Sequence, residues 1–155
     1  MRGKKGIALL VALIAVAFGI MVLPQRVTSQ SQGAEEQVPA FHAEAPRGPL
    51  PETLSPAQFP NVVVQNAYAL AARVKKILYQ QPCYCHCDRS HGHGSLLDCF
   101  ASKHGSEGGV CIREALYTYE QSRQGKSAAE IRQGMQHGAW QQVDISKYQT
   151  PVVAQ

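Results

Sequence analysis

The sequence predicts an all-α fold: a small bundle of three or four short helices with a Cys/His-rich loop, preceded by an N-terminal transmembrane or signal helix. Three observations support this prediction. Apolar residues after residue 60 recur at helical spacing, helix-start and helix-stop signals bound those segments, and no alternating apolar run is long enough to build a sheet. The length of 155 residues leaves room for one domain.

An apolar segment near the N-terminus predicts export. Residues 7–23 carry no charge and follow Arg2, Lys4 and Lys5, a positive flank that keeps the N-terminus in the cytoplasm while the rest of the chain crosses the membrane. About 17 apolar residues are long for a cleaved signal peptide and just enough for a membrane span. We therefore expect residues 1–26 to form a signal anchor, favoured here, or a signal peptide. The remainder is expected to be extracytoplasmic, at the cell surface or in the periplasm, and secreted if the signal is cleaved.

The distribution of charge argues against a nucleic-acid partner. The chain has 15 Lys and Arg residues against 11 Asp and Glu residues, a formal net charge of +4. Four of the basic residues, Arg2, Lys4, Lys5 and Arg26, flank the apolar segment, and removing them from the 15 leaves 11. The rest of the chain is formally neutral, so it lacks the basic face that binds a phosphate backbone.

Three regions follow the apolar segment. Residues 27–60 contain six prolines and no sustained apolar period, which predicts a Pro-rich linker that holds the domain away from the bilayer. Residues 61–139 are predicted to form the Cys/His-rich helical domain. Residues 140–155 are weakly patterned and are expected to be a flexible tail.

The first helix of the domain is expected to span residues 61–81. Asn61 is a suitable N-cap, apolar residues then recur at helical spacing, and Pro82 ends the helix.

Three shorter helices are expected at about 96–103, 110–124 and 127–138. A Ser-x-x-Asp capping box begins the first of them at Ser95, and a Ser-x-x-Glu box begins the last at Ser127.

All five cysteines lie in one short stretch, together with four of the six histidines. They are Cys83, Cys85, Cys87, Cys99 and Cys111, with His86, His91, His93 and His104 among them. Cys83, Cys85 and Cys87 occupy alternate positions, so in an extended chain their thiols would project to the same side. A disulfide between cysteines separated by one residue closes a strained ring, whereas joint ligation of one ion does not.

The other two cysteines lie at predicted helix starts. Cys99 falls in the first turns of the second predicted helix and Cys111 in the first turn of the third. The positive end of a helix lowers the pKa of a thiol and favours thiolate. We therefore predict a copper or zinc site with thiolate ligands Cys83, Cys85, Cys87, Cys99 and Cys111, and with His93 and His104 as auxiliary ligands. The sequence does not choose between the two metals.

Two other interpretations of the cluster remain open. An oxidising compartment favours structural disulfides, in which one triplet cysteine pairs with Cys99 and another with Cys111 to staple a helical interaction module. A thiol oxidoreductase is the third interpretation, with one triplet cysteine attacking and another resolving. No Cys-x-x-Cys-His haem motif and no phosphate-binding glycine loop is present. A binding protein is expected rather than an enzyme, and we assign no catalytic residues.

These residues carry a resemblance to a known family. The pattern consists of Pro82-Cys83-Tyr84-Cys85-His86-Cys87, Gly92-His93, Ser95 to Phe100, His104-Gly105, and Val110-Cys111 with Glu114-Ala115. It resembles the bacterial family named for its PCYCGC motif, over roughly residues 60–137. The resemblance implies a membrane-anchored or lipoprotein-like extracytoplasmic protein of unknown function.

The chain departs from the family pattern at two positions. His86 stands where the family has glycine in the fifth position of the motif, which adds a potential ligand or only a larger side chain. Gly108 stands where the family typically has the first cysteine of a Cys-x-x-Cys pair ending at Cys111. One expected thiolate is therefore missing, and a dithiol redox role for Cys111 would need a partner from elsewhere.

Overall fold

The fold is all-α, as predicted, in the computed structural model, which describes residues 37–152. That range contains six α-helices and no strand. The predicted anchor at residues 7–23 lies outside the described residues. No helix within residues 37–152 is both long and apolar enough to cross a membrane.

Two long helices and four short ones make up the bundle. In chain order they are α1 Val62–Arg73, α2 Lys75–Leu78, α3 Cys87–His91, α4 Leu96–Phe100, α5 Gly109–Arg123 and α6 Ala128–Gln136. Single-turn 3-10 helices lie at Pro56–Gln58, Lys103–Ser106, Ala139–Gln142 and Ile145–Tyr148.

The first predicted helix is divided in two. It begins as expected at Asn61, whose side-chain oxygen accepts hydrogen bonds from the backbone N–H groups of Val63 and Val64. At Val74 the backbone leaves the helical region, with φ −121° and ψ 25°. The chain then continues as α2, which contacts α4 and α5, so the break directs the end of this segment toward the cysteine loop.

The packing of α1 on α5 forms the centre of the core. Ala67 and Ala71 on α1 and Ala115 on α5 are fully buried, and small side chains let two helix backbones approach closely. Tyr68 lies between the rings of Phe59 and Phe100, with centroids 4.2 and 4.8 Å away. Burial of these aromatic rings gives a large hydrophobic stabilisation for a small domain.

Residues 37–60, expected as a linker, run along the surface of the helices. Leu54 donates its backbone N–H to the carbonyl of Phe100 at 2.9 Å, and Phe59 is buried. The guanidinium of Arg132 lies 4.6 Å from the ring centroid of Phe41. Apolar side chains between the prolines pack against the helices and hold this segment in place. The high proline content of the sequence predicted a linker and obscured this packing.

Residues 140–152, expected as part of a flexible tail, also pack on the bundle. The Asn66 side chain on α1 donates to the carbonyls of Tyr148 and Thr150 and accepts from the N–H of Val152. Val143 and Tyr148 are buried. One buried amide thus satisfies three backbone groups of this segment, a contact that sequence patterning does not reveal.

Candidate metal centre

A tight turn forms the centre of the cysteine loop. The N–H of His86 donates to the carbonyl of Cys83 at 3.1 Å, so residues 83–86 reverse direction. The extended conformation predicted for the triplet is therefore wrong, although its three thiols do converge. The chain turns back at residues 83–86, and Cys87 then begins α3. The three thiols therefore converge through a turn followed by a helix start.

His86 occupies the left-handed backbone region, with φ 57° and ψ 34°. It is the one non-glycine residue with positive φ among residues 37–152. Glycine adopts this conformation without a steric penalty, whereas a residue with a Cβ is destabilised by roughly 1–2 kcal/mol. The backbone conformation thus accounts for the glycine that the PCYCGC motif has at this position. His86, which replaces that glycine, carries backbone strain.

Buried side chains anchor the loop on both sides. The Glu114 carboxylate on α5 accepts the N–H of Tyr84 at 2.8 Å. The buried Gln81 side chain donates to the carbonyls of Ile77 and Ala128, and its backbone carbonyl accepts the N–H of Leu96. These bonds connect the loop to α2, α4, α5 and α6, so the positions of the thiols depend on the whole bundle.

A first group of four thiols could hold a metal ion. Its sulfur atoms all lie within 4.8 Å of one another and belong to Cys83, Cys85, Cys87 and Cys99. The sulfur of Cys83 lies 3.1 Å from that of Cys85, and the sulfur of Cys87 lies 3.3 Å from that of Cys99. Three members come from the loop and the start of α3, and the fourth comes from α4.

A second group shares two of these thiols. It consists of Cys85, Cys99, Cys111 and His104, whose ligand atoms also lie within 4.8 Å of one another. The sulfur of Cys111 lies 3.6 Å from that of Cys85, and His104 Nε2 lies 3.5 Å from Cys85 Sγ. Cys111 extends from the first turn of α5, and His104 from the 3-10 helix that follows α4.

The two predicted auxiliary histidines both lie beside the sulfurs. His93 Nδ1 is 3.4 Å from Cys99 Sγ, although His93 belongs to neither group of four. The exposed ring of His91 lies 4.2 Å from that of His104 and 5.6 Å from that of His93, measured between centroids. The structure thus brings all seven predicted ligands together, with imidazoles on one side of the sulfur cluster.

The spacing of the sulfurs suits a shared ion. In a tetrahedral site with Zn–S bonds of about 2.3 Å, sulfur atoms are about 3.8 Å apart. The nearest pairs here are 3.1–3.6 Å apart, so small outward movements would give that geometry. All five thiols are unpaired in this structure, and each pair is farther apart than the roughly 2.05 Å of a disulfide.

The thiols differ in their readiness to ionise. The pKa of Cys85 is lowered because the Cys111 and Cys83 thiols can donate hydrogen bonds to its sulfur. The pKa of Cys83 is raised because its proton is held in hydrogen bonds with Cys111 and Cys85. Cys85 is also the one member of the five that is not buried. The pKa of Cys87 is also lowered, chiefly by a hydrogen bond with Cys83, but Cys87 is buried. Without metal, Cys85 is therefore the most accessible thiolate of the cluster.

The pKa values of His104 and His93 shift in opposite directions. The pKa of His104 is raised because its ring bonds to the Cys85 sulfur, and the Glu107 carboxylate, 3.4 Å from His104 Nδ1, acts in the same direction. The pKa of His93 is lowered, chiefly by desolvation. Desolvation thus favours the neutral form of His93, which is the form that ligates metals, whereas the Cys85 sulfur favours the protonated form of His104.

Two residues that sequence reasoning left without a role shape this site. Glu114 is fully buried, its Oε2 has no hydrogen-bond partner, and desolvation raises its pKa to about 8. Gly105 lies where a Cβ would meet the carbonyl oxygen of Cys99 at 2.9 Å, so only glycine lets the turn carrying His104 approach α4. Both lie in the segments that carry the family resemblance, but composition alone assigns them no function.

Gly108 lies at the exposed N-cap of α5, and a Cβ there would have no atom within 4 Å. The side chain of the cysteine that the family resemblance implies here would therefore occupy open space at the surface. His104 completes the second group instead, together with Cys111.

Comparison with known proteins gives one match. The family described as "Protein of unknown function with PCYCGC motif" matches residues 27–141. No curated protein and no solved structure matches the chain.

Proposed function

This chain belongs to the family of proteins with a PCYCGC motif. We propose that it is an extracytoplasmic, membrane-tethered protein that binds or carries a soft metal ion, copper or zinc. One observation carries the proposal. Five thiols and an imidazole form two overlapping groups of four ligands, each with all ligand atoms within 4.8 Å of one another.

The types of ligand favour copper or zinc over harder ions. Thiolate and imidazole are preferred ligands of Cu(I) and Zn(II), whereas magnesium and calcium take oxygen ligands. Four of the five cysteines are buried. Cys87, Cys99 and Cys111 lie on three different helices of the bundle. A buried site supported on several helices is pre-organised, so the ion would not have to order the loop by itself.

The extracytoplasmic location rests on the sequence. Residues 7–23 form an uncharged apolar segment behind Arg2, Lys4 and Lys5, a pattern typical of a signal anchor that places the following domain outside the cytoplasm. A tethered domain in that compartment would capture ions near the membrane surface.

Metal analysis of the exported protein tests this function. The full-length chain, extracted in a mild detergent from the membrane fraction, should carry near-stoichiometric copper or zinc. The double variant Cys85→Ser/Cys87→Ser removes two members of the first group and should lose that metal. Cysteines that react with a membrane-impermeant thiol reagent in intact cells, after chelation, would support the extracytoplasmic location.

A matched pair of histidine variants controls for surface binding. His104→Ala removes a ligand of the second group, whereas the exposed His137, the C-cap residue of α6, hydrogen-bonds to the Gln133 carbonyl. His104→Ala should weaken binding of an ion in the second group at least tenfold, and His137→Ala should leave that binding unchanged. Metal-free protein that takes up neither ion under reducing conditions would overturn the proposal.

A disulfide-stapled interaction module is the main alternative function, and two short sulfur–sulfur distances support one choice of pairs. Cys87 lies 3.3 Å from Cys99, and Cys83 lies 3.5 Å from Cys111, sulfur to sulfur. Closing both pairs would leave Cys85 as the single free thiol. A thiol count on denatured, unreduced protein distinguishes the two: one reactive thiol supports the module, and five after metal removal support the metal site.

A thiol oxidoreductase is the second alternative, and the partly exposed Cys85 favours it. Its thiolate would attack a substrate disulfide, forming a mixed disulfide and releasing one substrate thiol. Cys111, 3.6 Å away, would then release the second substrate thiol and form the Cys85–Cys111 disulfide, which an added dithiol would reduce for the next turnover. Turnover of a model disulfide, abolished in Cys85→Ser, would support this role. Inert thiols would exclude it.

A further inference from the structure

Two candidate ligand groups share the same pair of thiols. Cys85 and Cys99 belong to both, while Cys83 and Cys87 belong only to the first group, and Cys111 and His104 only to the second. The two groups therefore meet along one edge, the line between the sulfurs of Cys85 and Cys99. A thiolate sulfur has enough lone pairs to bind two ions at once.

A single bound ion would leave some ligands of the cluster without a metal. A tetrahedral ion saturates with four ligands, and an ion in the first group takes Cys83, Cys85, Cys87 and Cys99. Cys111 and the His104 imidazole would remain beside two sulfurs already bound to a cation. Cys111 is 1 % exposed, so water cannot readily solvate its charge.

Charge balance also favours a second ion. If all five thiols ionise, the cluster holds five negative charges. One divalent ion leaves three of them uncompensated in a mostly buried site, whereas two leave one. Buried charges that are not compensated are strongly destabilising, so a second cation allows the fifth thiol to ionise.

We propose that the cluster binds two metal ions bridged by the sulfurs of Cys85 and Cys99. This inference rests on the metal-binding function proposed above. The first ion would be held by Cys83 and Cys87, and the second by Cys111 and His104, in addition to the two bridging thiolates. His93 Nδ1 lies 3.4 Å from the sulfur of Cys99, one of the two bridging thiols. Its imidazole would serve as an additional ligand, or would replace one of the four, when an ion binds.

Cadmium is the probe for the test because it prefers thiolate and has a nuclear spin that reports bridging. The full-length chain in detergent, reduced and free of oxygen, is titrated with Cd(II), and the ions bound per chain are counted by native mass spectrometry. The proposal expects two. With ¹¹³Cd, the NMR spectrum should show two resonances, each split by coupling to the other cadmium through the shared sulfurs.

Single substitutions separate the two ions. Cys87→Ser removes a ligand of the first group only, and Cys111→Ser removes a ligand of the second group only. Each variant should bind one cadmium ion tightly and lose the splitting. His137→Ala, outside the cluster, should keep two ions and the splitting. Circular dichroism of each variant checks that the helices remain.

Each outcome decides between the proposals. Two coupled cadmium resonances support the bridged pair. One ion per chain overturns the pair but leaves the metal-binding function standing, and two ions without splitting overturn the bridging thiolates. A chain that binds no cadmium overturns both proposals.

Discussion

A carboxyl oxygen of Glu114, buried in the middle of α5, accepts a hydrogen bond of 2.8 Å from the backbone N–H of Tyr84 in the cysteine loop. This bond fixes the turn between Cys83 and Cys85 against a long helix. Because the carboxylate is fully buried, desolvation raises its pKa from 4.5 to about 8. The residue that positions the loop is therefore also sensitive to pH.

Glu114 should make the stability of the metal-free chain decrease as pH rises. The carboxyl is neutral in the folded state up to about pH 8, but in the unfolded state it ionises near 4.5. Stability is thus greatest below the unfolded value and is lost as pH rises through the folded one, by an amount on the order of a few kcal/mol. Thermal unfolding of the reduced apoprotein at pH 5 and pH 8.5 measures this loss.

Glu114→Gln isolates that contribution, because an amide keeps an acceptor for Tyr84 but does not titrate. The difference between the two melting temperatures should be smaller in the variant than in the natural chain. An equal difference in both proteins would show that Glu114 does not titrate as described.

His86→Gly should stabilise the chain by about 1 kcal/mol, because glycine adopts the left-handed conformation without a Cβ clash. Metal affinity should be unchanged, since neither group of four includes His86. Chemical denaturation and a metal titration measure the two quantities. His86→Ala retains a Cβ and should bring no comparable gain. A marked loss of affinity in His86→Gly would instead assign His86 as a ligand.

Gly105→Ala should destabilise the fold and weaken the second ligand group. A Cβ at this position would lie 2.9 Å from the Cys99 carbonyl oxygen, so the turn carrying His104 must move away from α4. We expect a loss of about 1–3 kcal/mol and a second cadmium ion that binds more weakly. Gly109→Ala is the matched control, since a Cβ there meets nothing within 4 Å and alanine favours a helix. Equal stabilities of the two variants would contradict the close approach.

Cys85 should be the first thiol to react in the metal-free chain. Its pKa is lowered by hydrogen bonds from Cys111 and Cys83, and it is less buried than the other four. Brief alkylation with iodoacetamide at neutral pH, followed by peptide mapping, identifies the modified residue. Bound zinc should protect it, and His104→Ala should slow the reaction. Preferential modification of Cys83 or Cys99 would contradict the assignment.

The helices could largely be predicted because their ends are marked by local chemistry. Asn61 and Ser127 begin two helices at the predicted positions, since a capping side chain acts within its own turn. Ser95 precedes a third, where the Asp98 side chain accepts the backbone N–H of Ser95. Helix α3 was not predicted because it has five residues and follows a left-handed residue. No apolar periodicity can develop over so short a segment.

The ligands could be predicted by residue type, but their arrangement could not. The crowding of cysteines indicated the site, yet the triplet converges through a turn rather than an extended strand. The sharing of Cys85 and Cys99 depends on how α4 and α5 pack. Glu114 in the sequence is one acidic residue among several, and only the packing of α5 shows that it is buried.

X-ray absorption at the zinc edge of the zinc-loaded, reduced chain tests the central claim most directly. A thiolate cluster predicts a first shell dominated by sulfur at about 2.3 Å, with a minor imidazole contribution near 2.0–2.1 Å. Cys85→Ser/Cys87→Ser, treated in the same way, should retain no zinc and give no edge above background. A shell of nitrogen and oxygen without sulfur in the natural chain would contradict the account.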